Sequence, residues 1–158
     1  MDEQAKKTAL RMIPYGLYVL GVKDGDQISA ATINWVTQAS FKPPLLAMGI
    51  KTDAAGFALL KKKVPFALSI LGTGQKDTAF AFFKPTEQDG DKINGYAYET
   101  QENGAPILVD APAWVEAKVT DIVERGDHAV VVAEVTAAGV RSETKVLTLE
   151  ECGVAYGG

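Results

Sequence analysis

Tight turn signals break this chain into short runs of β-branched, aromatic and aliphatic residues, and few architectures tolerate such punctuation. Tyr15–Lys23 (YGLYVLGVK) and Gln27–Ile33 (QISAATI) flank Asp24-Gly25-Asp26, while Ala113–Val123 and Ala129–Thr136 flank Arg125-Gly126-Asp127. Runs joined by so few residues must pair antiparallel, so both units read as β-hairpins. Leu45–Ile50 (LLAMGI), after Pro43-Pro44, reads as a strand covered on both faces, and Phe66–Leu71 as another. Three short helices are expected between them. Glu3–Met12 carries Ala5, Ala9, Leu10 and Met12 on a helical period and ends before Pro14. Ala54–Lys62 turns Phe57 and Leu60 inward behind an N-cap at Thr52 or Asp53, and a helix from about Gln75 presents Phe80 and Phe83 before Pro85. Thr86–Ala105, rich in Gly, Asp, Glu and Asn, reads as a long surface excursion. The pattern predicts one mainly β domain over residues 1–158, an antiparallel barrel or sandwich with a few short helices. A dinucleotide-binding βαβ unit is disfavoured, because Gly72-Thr73-Gly74 lacks the third glycine of that turn.

Composition narrows the chemistry. Lys plus Arg total 16 against 20 for Asp plus Glu, a net charge of −4, and the only basic run is Lys61–Lys63, so nucleic acid is not the expected partner. One cysteine, Cys152, excludes an intramolecular disulfide, a thiolate zinc site and a cysteine-held iron–sulfur cluster. It reads as a small packed residue, since acidic neighbours raise a thiol pKa. One histidine, His128, leaves no multi-histidine metal site and cripples any Ser-His-Asp arrangement; read plainly, it is a half-exposed residue after a hairpin turn. Redox chemistry, if present, must come from a bound cofactor. Met1-Asp2-Glu3-Gln4 has no signal-peptide character and no apolar stretch approaches the roughly 20 residues that span a bilayer, so a cytoplasmic protein without membrane contact is expected.

The unusual stretch is Ala31–Pro44 (ATINWVTQASFKPP), where a strand gives way to polar residues around Trp35. Thr32, Asn34, Thr37, Gln38 and Ser40 offer hydroxyls and amides, and an extended backbone adds N–H and C=O groups along a groove. A flat heteroaromatic ring with hydrogen-bonding edges matches such a groove, its faces covered by Trp35 and nearby aliphatics. Lys51-Thr52, ahead of a helix, offers a cation and a hydroxyl to a phosphate tail, with Asp53 an awkward neighbour unless it caps the helix. Read alone, the stretch fits equally well a twisted strand and loop around a core tryptophan.

Five segments, taken in order, resemble the flavin reductase-like FMN-binding family: GLYVL (Gly16–Leu20), NWVTQASFKPP (Asn34–Pro44), PFALSIL (Pro65–Leu71), APILVDAPAWVE (Ala105–Glu116) and GDHAVVVAEV (Gly126–Val135). The chain is especially similar to the flavin reductase-like module of cyanobacterial flavodiiron proteins. The resemblance implies an antiparallel Greek-key FMN-binding split β-barrel that forms homodimers. It places Thr32, Ile33, Asn34, Trp35, Val36, Thr37 and Ser40 along the flavin ring and ribityl chain, and Lys51 and Thr52 at the phosphate. Phe83 and His128 fall near the flavin or the nicotinamide approach, with His128 the catalytic candidate. The implied activity is transfer of hydride from NADH or NADPH to flavin and of electrons onward to free flavin, ferric complexes or a partner protein. The competing expectation is an FMN-containing electron carrier with little nicotinamide activity. Dimerisation also follows from physics, because a small barrel with an open groove gains by covering one face with its twin.

Overall fold

Turn chemistry places the first hairpin where expected. In the computed structural model, which describes residues 1–158, β1 (Tyr18–Asp24) and β2 (Gln27–Ile33) pair antiparallel about Gly25, whose φ of 60° suits a residue without Cβ. β3 (Val36–Ser40) and β4 (Leu45–Lys51) form the next hairpin; α2 (Ala55–Lys61) and β5 (Phe66–Ile70) follow. After α3 (Lys76–Ala81), four short strands appear: β6 (Gln88–Asp89), β7 (Lys92–Ile93), β8 (Tyr96–Thr100) and β9 (Pro106–Leu108). The long hairpin of β10 (Ala113–Glu124) and β11 (His128–Val140) precedes α4 (Leu149–Cys152).

The main sheet has seven strands in the order β2-β1-β5-β10-β11-β4-β3, every pair antiparallel. Its two margins, β2 and β3, are consecutive in sequence and joined only by Asn34 and Trp35. That link reaches about 11 Å at full extension, so the sheet must curl until its margins meet. A barrel split along one seam results, and the polar stretch singled out from the sequence forms the seam.

Period-two alternation on β1 sends Leu20 and Val22 into the barrel, where they pack with Met48, Ile50, Phe57, Phe66 and Val131. Leu17 and Val19 serve a second core outside the barrel with Ala79, Phe82, Ile93 and Leu108, which binds α3 and the small sheet. Thr86–Ala105 is therefore no plain surface loop. It carries β6, β7 and β8, which β9 completes into a four-stranded meander closed over this second core, with Ile93 fully buried there.

Two other expectations need correction. α2 starts at an Ala54 N-cap without a side-chain hydrogen bond, because Asp53 turns to Lys51 instead of capping. β4 is covered on one face: Met48 and Ile50 are buried, while Leu45 and Ala47 are half-exposed beside the edge strand β3. α1 (Glu3–Arg11), capped by Asp2 through the Ala5 N–H at 2.9 Å, forms as expected but buries none of its residues. No helix is long and apolar enough to cross a membrane.

Candidate functional site

A cavity of about 540 Å³ opens at the seam. Leu20, Ile50 and Phe57 reach it from the barrel, Ile33 and Asn34 from the end of β2, and Phe80, Phe82 and Phe83 from α3 and its C-terminal turn. α3 is fastened to the seam by Thr32, whose hydroxyl donates to the Ala79 carbonyl at 2.7 Å and whose N–H donates to that of Phe82 at 3.0 Å. The margin of β2 thus satisfies its backbone on a helix end and leaves room beside it.

Two donors at the seam have no partner: Asn34 Nδ2 and Trp35 Nε1, both buried. Asn34 is only 8% exposed and lines the cavity. An unsatisfied buried donor costs about 1–3 kcal/mol, and two in succession mark a place built for something other than stability. The apolar walls and the Asn34 donor fit a flat aromatic ring with acceptors along its edge.

Trp35 is half-buried and anchors a second group of rings. Its carbonyl accepts from the Gly49 N–H at 2.9 Å, and its indole lies so close that a Cβ on Gly49 would sit 2.9 Å from Cε3. The ring centroids of His128 and Tyr156 lie 4.5 and 5.1 Å from it. His128 opens β11 and pairs with Lys51 at the end of β4. Thr52 locks that pairing, its N–H and hydroxyl both donating to the Asp127 carbonyl, at 3.0 and 3.1 Å. His128 Nδ1 meets Asp127 Oδ1 at 2.8 Å and Nε2 meets the Tyr156 hydroxyl at 2.6 Å. The hydrogen bond and charge of His128 hold the Asp127 carboxyl below its ordinary pKa. Burial raises that of the Tyr156 phenol, so it keeps its proton. In the neutral ring the proton therefore sits on Nδ1, facing the carboxylate, and Nε2 accepts from Tyr156.

Of the residues singled out in the sequence, Thr32, Ile33, Asn34, Lys51, Phe83 and His128 come together on the cavity wall. Trp35 stands behind His128 and Tyr156, and Thr52 faces the backbone of Asp127. Val36 packs on the barrel core, Thr37 is exposed with its hydroxyl on the Gln38 carbonyl, and Ser40 pairs with Leu45 farther along β3; none of the three lines the cavity. Lys51 shares its charge with Asp53 at 3.6 Å, both exposed. Cys152 is buried, and burial first, then Glu151, raises its thiol pKa, in keeping with a packed residue. The sequence reading placed neither the apolar wall of Leu20, Ile50, Phe57, Phe80 and Phe82 nor Leu149 and Val154–Tyr156 at the site, and all of these line the cavity.

The flavin reductase like domain family matches residues 10–153. Diflavin flavoprotein A 1 of Synechocystis is 34% identical over 137 residues, covering 86% of this chain and 24% of that protein. A flavin reductase of Pseudomonas putida is 27% identical over the whole chain and 91% of its own length. Among solved structures, an NADH:FAD oxidoreductase of Streptomyces globisporus, held with NAD and FAD fragments, superposes with a TM-score of 0.72 at 29% identity over 81% of this chain and 76% of its own. The styrene monooxygenase flavin reductase of Pseudomonas putida gives 0.71 at 29% identity over 82% of both chains. The chain spans about a quarter of the length of the diflavin flavoproteins it matches.

Proposed function

The chain belongs to the flavin reductase-like domain family, and on that premise we propose that it binds FMN at the barrel seam and reduces it with NADH or NADPH. The observation that carries this reading is the unpartnered Asn34 Nδ2 on an apolar wall, a donor awaiting the edge of a flat ring. FMN, when bound, supplies the hydride and electron chemistry. The protein's part is to hold it. Asn34 donates to the ring edge, with Thr32 and Ile33 extending the same wall; Leu20, Ile50, Phe57 and Phe82 exclude water; Lys51 balances the phosphate charge. Thr52 supports Lys51 and His128 from behind through the Asp127 carbonyl, and His128 fixes a proton at Nδ1 beside the cavity. Phe83, 54% exposed at the rim, covers what the deeper aromatics leave open.

Mixing the FMN-loaded protein with NADH in a stopped-flow instrument tests the proposal. Rapid loss of the flavin absorbance is expected. Lys51→Met should weaken FMN binding about tenfold, the scale of one charge-assisted hydrogen bond, while riboflavin binding, which involves no phosphate, holds. Bound FMN that NADH leaves oxidised favours the second reading, an electron carrier that takes electrons from a partner protein. The similarity to about a quarter of larger diflavin flavoproteins speaks for it.

We also propose a homodimer. Phe41, Val123 and Val130 stand 86%, 47% and 47% exposed, and β4 lacks cover on one face. Sedimentation equilibrium should return twice the chain mass; monomer alone at micromolar concentration would refute it.

A further inference from the structure

The segment after α4 does not fold back into any sheet. No backbone–backbone hydrogen bond involves residues 154–158. Two side-chain bonds tie it down: Arg11 Nε donates to the Gly157 carbonyl at 3.0 Å, and the Tyr156 hydroxyl meets His128 Nε2 at 2.6 Å. Gly153, at φ 69°, is a left-handed turn from which the segment leaves the helix. Val154, Ala155 and Tyr156 line the 540 Å³ cavity on one side and, on the other, a second cavity of about 330 Å³ formed with Arg11, Met12, Ile13, Pro14 and Tyr15. The segment is the partition between them. Few contacts and solvent-facing bonds place it at the low end of local stability.

We propose that residues 154–158 are a displaceable strap, latched by Tyr156 on His128 and Trp35, whose release joins the two cavities and admits a nicotinamide dinucleotide to the seam. This rests on the reductase reading above. Three features make the strap a competitor and not a fixed wall. Tyr156 offers its ring to Trp35 and its hydroxyl to His128, so a flat substrate ring with a polar edge must replace both contacts. The guanidinium of Arg11 neutralises nothing in the closed state, holding only a peptide carbonyl. Once released, it faces the second cavity as a cation suited to the pyrophosphate of the incoming dinucleotide. Tyr156 is thus a positioning residue for His128 as well as the latch.

The whole 158-residue chain with Tyr156→Phe tests this, since the ring remains and only the hydroxyl goes. In the flavin-free protein, the nitrogen resonances of the single histidine report the latch directly. The Nε2 signal is expected to move in Tyr156→Phe, with faster amide exchange over residues 154–158. In the FMN-loaded protein, calorimetric titration with NAD⁺ should show binding about fivefold tighter, the factor for one ordinary hydrogen bond removed from the closed state. With NADH, the change should fall more on KM than on kcat. Unmoved histidine signals would overturn the latch, and moved signals with unchanged or weaker NAD⁺ binding would overturn the gate. Wild-type protein that binds NAD⁺ yet is not reduced by NADH would sink the reductase reading and leave the strap standing. Arg11→Gln separates the two Arg11 roles: if its only task is to hold Gly157, NAD⁺ binds more tightly, and if it meets the pyrophosphate, binding weakens.

Discussion

Asn34→Leu is expected to weaken FMN binding by about 10- to 100-fold while leaving the flavin-free protein as stable as before or more so. The opposite signs come from one atom. In the flavin-free chain the buried Asn34 Nδ2 has no partner, so replacing the amide by a hydrocarbon of similar bulk removes an unsatisfied donor and adds apolar contact at the mouth of the barrel. With FMN bound, that donor is what reads the ring edge, and leucine leaves an acceptor of the flavin without a hydrogen bond in a water-poor pocket. Fluorescence titration with FMN and a thermal melt of the flavin-free protein check the two halves separately. A variant that melts far below wild type would make Asn34 a structural residue whose partner lies elsewhere in the chain. One that binds FMN normally would remove Asn34 from the site.

The main strands were legible because each is long enough to show its period or carries its own turn. Val19–Val22 and Phe66–Ser69 could hardly be anything else, and Asp24–Asp26 set the first hairpin's register. β6 and β7 were illegible for a physical reason. Each has two residues, and their one buried side chain, Ile93, cannot establish an alternation. The seam was visible as a polar interruption at Asn34 and Trp35, yet its extent along the chain was not. Thr37 and Ser40 carry the same hydroxyl chemistry as Thr32 but lie on β3, which runs away from the cavity with its exposed face to solvent. The Asp53 cap was a local rule overridden by the nearer charge of Lys51. Tyr156 had no signal at all. It sits among glycines outside any periodic element, and only the three-dimensional path brings it to His128, 28 residues away in sequence.

The contribution of the small sheet to the site can be isolated from outside the barrel. Gly21 lies on the outer face of β1 beside Val19, where β9 packs directly on the strand. A Cβ there would run into the Pro106 carbonyl and come within 2.9 Å of Pro106 Cγ, and a backbone carbonyl cannot rotate aside as a flexible side chain can. Gly21→Ala should therefore push β9 off the barrel and lower stability by about 1–3 kcal/mol, as overpacking does, or more if the meander detaches. The damage is expected to travel. The meander carries Ile93 and Tyr96 against Phe82, the ring centroids of Tyr96 and Phe82 being 5.8 Å apart, and Phe82 with its neighbours on α3 forms one wall of the cavity. A loosened meander takes from α3 the Ile93 and Tyr96 packing and the bond that Asn94 Nδ2 donates to the Ala81 carbonyl, so FMN binding should weaken although no residue touching the ring has changed. Urea denaturation measures the first effect and FMN titration the second. Full stability in Gly21→Ala would mean that β9 is not packed as described. Lost stability with undiminished FMN affinity would mean that α3 keeps its place without the meander, and that the barrel alone builds the site.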